Sequence, residues 1–239
     1  MKNYKTTLLS GALLMCGAFV SAQTADEIIA KYVQAIGGKD FLSKITSLYT
    51  ESKMDVMGNE STQKVTILNG KGYKTEMEIM GSNIVTCITD NGGWSVNPMM
   101  GSNDATALPD DQYKSSKSQI WIGGPFVNYK ENGYQAELQG NETIGDVNAV
   151  KVKLTSPDNI SVTYSFDPAT GYLLKSVQQS DMQGQTVDNT ITFSDYRQAS
   201  GYTLPYKVSM DIGGMFQLSS TITSVELNKA VDPAIFVKP

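Results

Sequence analysis

Apolar and polar side chains alternate along most of the chain from Leu48 onward. In the first run, Leu48, Met54 and Val56 share one face, while charged side chains occupy the other. A period of two residues is typical of antiparallel strands that have one dry face and one solvated face. The same alternation recurs over residues 73–79, 150–154, 162–166 and 204–212.

Short connectors rich in glycine, asparagine and aspartate separate these runs, for example Asn69-Gly70 and Gly213-Gly214. Such connectors favour hairpins between neighbouring strands. The alternation changes phase between Ile222 and Val225, which predicts a β-bulge near Thr223. We therefore predict a mainly β fold: a single curved antiparallel sheet that forms a half-open, incomplete barrel.

Two segments break the period of two. Thr24 and Glu27 have the spacing of a capping box, and the apolar residues that follow recur at helical spacing until Gly37-Gly38. Residues 99–108 lack periodicity and are predicted to form a loop. Pro109 then favours a helix start, which predicts a helix over residues 109–122. We interpret this mid-chain helix as a lid across one end of the sheet.

The first 22 residues have the pattern of a secretory signal peptide. Lys2 and Lys5 precede an apolar stretch, and small residues at Ser21-Ala22 favour cleavage after Ala22. An alternative is a lipoprotein signal that would place a lipid anchor on Cys16, but bulky Met15 stands where that signal has a small residue. We expect a signal peptide at residues 1–22, one domain at residues 23–239, and a periplasmic location.

Charge narrows the function classes. Residues 23–239 contain 17 basic and 24 acidic side chains. This acidic balance argues against nucleic acid, because phosphate binding needs clustered lysine and arginine. We expect a monomer whose partners are lipids or proteins.

The chain lacks the side chains of common catalytic sites. It has no histidine, so Ser–His and Cys–His pairs are excluded. Asp110-Asp111 fits a helix N-terminus better than an acid–base pair, and Glu76 and Glu78 fit a solvated strand face better than a cation site. Cys87, the only cysteine after residue 22, fits a buried thiol. We predict a protein that is not an enzyme and needs no cofactor.

Methionine is the notable apolar residue. Nine methionines follow residue 22, and several fall on the apolar faces of strands. Methionine is flexible and suits surfaces that accept variable apolar partners, although it also fills ordinary cores. Because a curved sheet with two modest helices leaves its concave face poorly filled, we predict a cavity for an apolar ligand. The predicted lining is Met54, Val56, Met77, Ile79, Trp94, Ile120, Trp121 and Met210.

Five motifs carry a family resemblance: residues 25–38, 45–48, 90–98, 167–171 and 231–236. Together they resemble the outer-membrane lipoprotein-sorting proteins of Bacteroidetes, which are similar to the LolA and LolB lipoprotein carriers. The resemblance implies a half-closed antiparallel sheet with helices over its mouth, and a hydrophobic cavity that carries acyl chains without a cofactor. A non-catalytic interaction module that docks an envelope protein on the concave face is the alternative.

Overall fold

The computed structural model describes residues 23–239 except Met57, Met80 and Gln183; the side chains of Met100, Ser102 and Met182 are also left out of the description. Thirteen strands form one antiparallel sheet. They are β1 (Ser47–Val56), β2 (Asn59–Leu68), β3 (Gly72–Ile79), β4 (Ser82–Thr89), β5 (Gly92–Asn97), β6 (Ser102–Ala107), β7 (Gln135–Ile144), β8 (Val147–Thr155), β9 (Ser161–Phe166), β10 (Leu173–Met182), β11 (Gln185–Ala199), β12 (Tyr202–Ile212) and β13 (Phe216–Leu227).

The sheet is a meander that is not closed. Its strand order is β6-β5-β4-β3-β2-β1-β13-β12-β11-β10-β9-β8-β7, so β1 pairs with β13 near the centre. The edge strands β6 and β7 are consecutive in the sequence, and residues 108–134 connect them. The predicted fold class, an open curved antiparallel sheet with few helices, is confirmed.

Helix α1 (Ala25–Ala35) packs its apolar stripe on the sheet. The predicted capping box is present: the Thr24 N–H donates to Glu27 Oε2 at 2.8 Å, and the Glu27 N–H donates to Thr24 Oγ1 at 3.2 Å. Ile28 and Ile29 are buried, and Tyr32 contacts Phe126 edge to face, with ring centroids 4.9 Å apart. A second short helix, α2 (Lys39–Leu42), follows the Gly37-Gly38 turn.

The mid-chain region differs from the sequence prediction in two ways. Helix α3 covers only Asp110–Ser116, and 3-10 turns continue the segment at Lys117–Ile120 and Gly124–Phe126. Residues 99–108, predicted as a loop, contain strand β6, which pairs with β5. The segment Ser102–Ala107 has few residues of high β propensity, so its pairing comes from the neighbouring strand rather than from a local signal.

Two further details concern β13 and the C-terminal segment. The β1–β13 register shifts between Glu51 and Ser52, which leaves Thr223 as the extra residue and confirms the predicted bulge. After β13, a 3-10 turn at Pro233–Phe236 packs on the sheet face opposite α1 and buries Cys87. Among the described residues, no helix has the length and apolar character needed to cross a membrane.

Candidate ligand-binding face

The strand register defines one continuous face of the sheet, which we call the inner face. It is the face that contacts α1. One row crosses seven strands through directly paired residues, and because paired residues point to the same side, they share this face. The row consists of Val152, Tyr164, Ser176, Ile191, Met210, Leu218 and Val56.

Helix α1 and the mid-chain segment cover one part of the inner face. Leu48, Ile67, Val152 and Phe166 belong to the same buried cluster as α1 and Phe126. Burial raises the pKa of Tyr73 and Tyr202 to about 12, so both hydroxyls stay neutral in this dry region. This covered part is the core of the protein.

The rest of the inner face lies outside that cluster, and most of its side chains are only partly buried. Met54 and Val56 of β1 are 3% and 8% exposed, yet neither belongs to the α1 cluster. Their neighbours on the same face are partly exposed. These are Met77, Ile79 and Ile84 on β3 and β4, and Ile191, Met210 and Leu218 on β11 to β13. None of the eight belongs to or packs against the α1 cluster, although Met54 and Val56 are buried, and in this sense we call them the uncovered inner face.

Five of the eight predicted lining residues therefore lie on the uncovered inner face: Met54, Val56, Met77, Ile79 and Met210. Sequence analysis missed Ile84, Ile191 and Leu218. Each continues the period of two in its own strand, which was the available signal. The register then joins the three to the predicted five across neighbouring strands.

Ile120 and Trp121, predicted to line the cavity from the lid, dock on the β2–β3 turn. Ile120 is buried, and its carbonyl accepts a hydrogen bond of 2.8 Å from the Gly70 N–H. Trp121 is 39% exposed and its indole lies over Gly70. The Asn69 side chain accepts from the Ile122 N–H at 3.1 Å and donates to the Ile45 carbonyl at 2.8 Å. This turn thus fastens the mid-chain segment at one end of the sheet.

Trp94 is a correction to the predicted cavity. It pairs with Cys87, which pairs with Lys74, on the outer face of the sheet. The Trp94 indole N–H donates to the Phe236 carbonyl at 2.9 Å beneath the C-terminal segment. The alternation within β5 shows which residues share a face, but not which face is covered by a segment 142 residues away. Trp94 therefore belongs to a second buried cluster, not to the inner face.

The acidic pairs considered from the sequence take the structural roles that were favoured. Asp110 accepts from Lys114 one helical turn away at 2.7 Å, and Glu76 pairs with Lys74 at 3.2 Å. No group of three histidine, cysteine, aspartate or glutamate side chains is placed to hold a metal ion within the described ranges. A groove of about 480 Å³ lies over β11 to β13 and β1, but polar outer-face residues such as Asp55, Thr192 and Ser209 line most of it. That groove does not suit an acyl chain.

The arrangement defines a class: an open antiparallel sheet that wraps one helix and leaves part of its inner face apolar and uncovered. No protein-family model and no curated protein sequence matches the chain. Solved structures match in fold. A LolA superfamily protein from Nitrosomonas europaea aligns over 91% of this chain and 99% of its own, with a TM-score of 0.62 and 14% identity.

A protein domain from Vibrio parahaemolyticus described as an outer membrane lipoprotein-sorting protein aligns over 88% of this chain and 95% of its own, with a TM-score of 0.57 and 14% identity. A DUF1329 family protein from Desulfovibrio piger covers 88% and 97%, with a TM-score of 0.58 and 13% identity. The chain therefore has the fold of the LolA superfamily, as the sequence motifs indicated. The narrower likeness to the Bacteroidetes type stays a prediction.

Proposed function

We propose that this protein is a non-catalytic carrier of the cell envelope that holds acyl chains of lipids or lipoproteins on the uncovered inner face. The observation that carries the proposal is the partial exposure of apolar side chains such as Met77, Met210 and Leu218 outside the α1 cluster. Exposed apolar surface is costly in water, and contiguous patches of it usually mark a binding site.

The chemistry of this surface suits an acyl chain. Methionine and isoleucine make up six of its eight residues, and methionine adapts to apolar ligands of variable shape. Small hydroxyl side chains, Ser61 and Ser220, lie opposite Met54 in the register and leave room beside it. The fold shared with a lipoprotein-sorting domain supports the same interpretation.

The compartment is part of the proposal. Residues 1–22 lie outside the described residues, so the signal peptide with cleavage after Ala22, or the alternative anchor on Cys16, rests on the sequence pattern alone. We propose a periplasmic domain of residues 23–239. Mass analysis of protein from the native host is expected to show Gln23 as the first residue.

A matched pair of charge substitutions on β12 tests the acyl site. Met210 points to the inner face, while its neighbour Ser209 points outward and is exposed. Met210→Glu and Met77→Glu place a charge on the uncovered inner face, where it can reach water because both sites are partly exposed. Both variants are expected to fold and to bind a fluorescent fatty-acid analogue at least tenfold more weakly than wild type. Ser209→Glu is the control and is expected to bind like wild type.

Met54→Glu separates a ligand surface from an ordinary core. Met54 is 3% exposed, so a charge there is expected to lower the unfolding temperature strongly. If Met210→Glu and Met77→Glu unfold as Met54→Glu does, and wild type binds no analogue, the inner face is a packed core. The acyl-carrier proposal would then be replaced by the alternative, a non-catalytic module that docks an envelope protein.

A further inference from the structure

Five of the six hairpin tips at one end of the strands share an unusual composition, and the sixth, between β8 and β9, does not share it. The tips join β1–β2, β3–β4, β5–β6, β10–β11 and β12–β13, and we call them together the tip rim. Each contains a glycine with positive φ: Gly58, Gly81, Gly101, Gly184 and Gly214. An added Cβ at any of these glycines would meet no atom within 4 Å, so the tips project into open space.

All nine methionines after residue 22 lie within four residues of a tip-rim glycine in the sequence. The turns at the opposite end, at residues 69–71, 90–91, 145–146, 167–172 and 200–201, contain none. Among the methionines whose side chains are described, Met99 and Met215 are 55% and 66% exposed. Exposed methionine at one end of a sheet is a surface that can adapt to an apolar partner.

The residues of the tip rim carry negative charge, and Lys53, which lines a groove with Glu60 and Glu78, is a basic residue beside it. Residues 55–60, 78–83, 97–103, 180–188 and 210–217 contain no lysine or arginine, and six acidic residues. The six are Asp55, Glu60, Glu78, Asp181, Asp188 and Asp211. None of them takes part in the ion pairs of the described residues, which all lie elsewhere on the molecule.

We propose that the tip rim docks a protein segment that carries basic side chains around an apolar stripe. The methionines of the rim would contact the apolar stripe of the partner. The acidic residues would attract its basic side chains, because complementary charge steers association and selects the partner. An anionic membrane surface would be repelled by the same acids. Neighbouring tips are two strands, or about 10 Å, apart. An amphipathic helix of 18 residues, about 27 Å long, therefore spans about three tips.

The probe is an 18-residue amphipathic peptide of leucine and lysine, compared with the same peptide in which glutamate replaces lysine. The protein with residues 23–239 is expected to bind the lysine peptide saturably and the glutamate peptide at least tenfold more weakly, by fluorescence anisotropy. Met99→Ser combined with Met215→Ser is expected to weaken binding of the lysine peptide at least fivefold. Glu60→Gln combined with Glu78→Gln is expected to weaken it and to reduce its dependence on salt.

Val237→Ser is the matched control, because Val237 is 68% exposed but lies in the C-terminal segment. It is expected to leave peptide binding unchanged, and the Met99/Met215 variant is expected to leave fatty-acid binding unchanged. The acyl-carrier proposal and this one therefore fail separately. The docking proposal is overturned if the lysine peptide does not bind saturably, or if both peptides bind equally. It is also overturned if Val237→Ser weakens binding of the lysine peptide as much as the Met99/Met215 variant does. Co-sedimentation with phosphatidylcholine vesicles, or self-association, that the Met99/Met215 variant abolishes would assign the rim to a membrane or to a second copy instead.

Discussion

The two ends of the strands use the same turn chemistry in opposite surroundings. At the end near α1, which we call the helical end, Gly171 lies against the backbone of Lys31, and Gly201 lies against Phe41. On the tip rim, Gly81 and Gly184 have equally positive φ angles but nothing near them. Glycine thus satisfies a backbone requirement at both ends, and at Gly171 and Gly201 the missing side chain also lets a helical residue pack against the turn. Contacts between turns and helices are therefore found at the helical end, whereas Gly81 and Gly184 on the tip rim have no such contacts.

A large effect is expected at the helical end from a change in the C-terminal segment. The Phe236 ring lies over Gly72 beside the β2–β3 turn, and the residue covers Cys87 and Trp94. Phe236→Ala is expected to lower the unfolding free energy by about 3 kcal/mol, because a buried aromatic ring is replaced by a cavity. Val237→Ala, next to it and exposed, is expected to change it by less than about 0.5 kcal/mol.

The reactivity of the Cys87 thiol measures how well the C-terminal segment covers this face. Burial raises the pKa of the Cys87 thiol to about 11, and its side chain is fully covered. In native wild type at pH 8, a thiol reagent is expected to label it very slowly, since the thiolate is the reactive form. Phe236→Ala is expected to speed labelling at least tenfold under native conditions. Equal labelling rates would show that the C-terminal segment does not protect this face.

A matched glycine pair tests the comparison of the two ends directly. Gly171 and Gly184 have φ angles of +80° and +82°, so alanine is strained equally at both. At Gly171 the new Cβ would also lie 3.0 Å from the Lys31 carbonyl oxygen in α1. We expect Gly184→Ala to cost about 1–2 kcal/mol of unfolding free energy and Gly171→Ala about 1–3 kcal/mol more. Equal losses by chemical denaturation would remove the packing difference between the ends.

The sequence predicted the parts of this molecule that depend on local periodicity. Alternation identified most strands, the phase change near Thr223 identified the bulge, and Thr24 with Glu27 identified the start of α1. It missed β6, whose pairing is imposed by β5, and it placed Trp94 on the wrong face. Which face the C-terminal segment covers depends on contacts between distant residues, such as Trp94 with Phe236. The sequence predicted only five of the eight residues of the uncovered inner face, because the extent of this face across neighbouring strands depends on the strand register.

Asn69 tests how the mid-chain segment is held at the helical end. Its side chain joins Ile45 and Ile122 through two hydrogen bonds. Asn69→Ala leaves both backbone partners without that bond, and we expect a loss of about 2 kcal/mol together with faster hydrogen exchange near Ile122. Asn59→Ala, at the exposed start of β2 beside a tip, is expected to cost less than about 0.5 kcal/mol. A similar loss in both variants would show that the two ends are equally dependent on their asparagines.

The smallest expected effect concerns charge, and its pH dependence has a definite sign. Glu142 on β7 reaches across β8, where Ala149 is fully buried, and accepts hydrogen bonds from Lys175 and Ser165. Burial acts to raise the pKa of Glu142, but these two partners hold it below its ordinary value. The pair therefore contributes stability above about pH 4.5, the ordinary glutamate range, and that contribution is lost as the pH falls through the lower pKa of the folded state.

Glu142→Gln keeps the shape of the side chain and removes the charge, so it isolates this contribution. At pH 7 we expect it to lower the unfolding free energy by about 1 kcal/mol. As the pH falls through the lowered pKa of the folded state, wild type loses the same contribution, so the two denaturation curves are expected to converge in acid. Glu78→Gln removes one charge from the tip rim, where Glu78 is exposed and forms none of the described ion pairs, and is expected to change stability at pH 7 by less than about 0.5 kcal/mol. If Glu78→Gln costs as much as Glu142→Gln, the rim carboxylates stabilise the fold. They would then not be available for a partner.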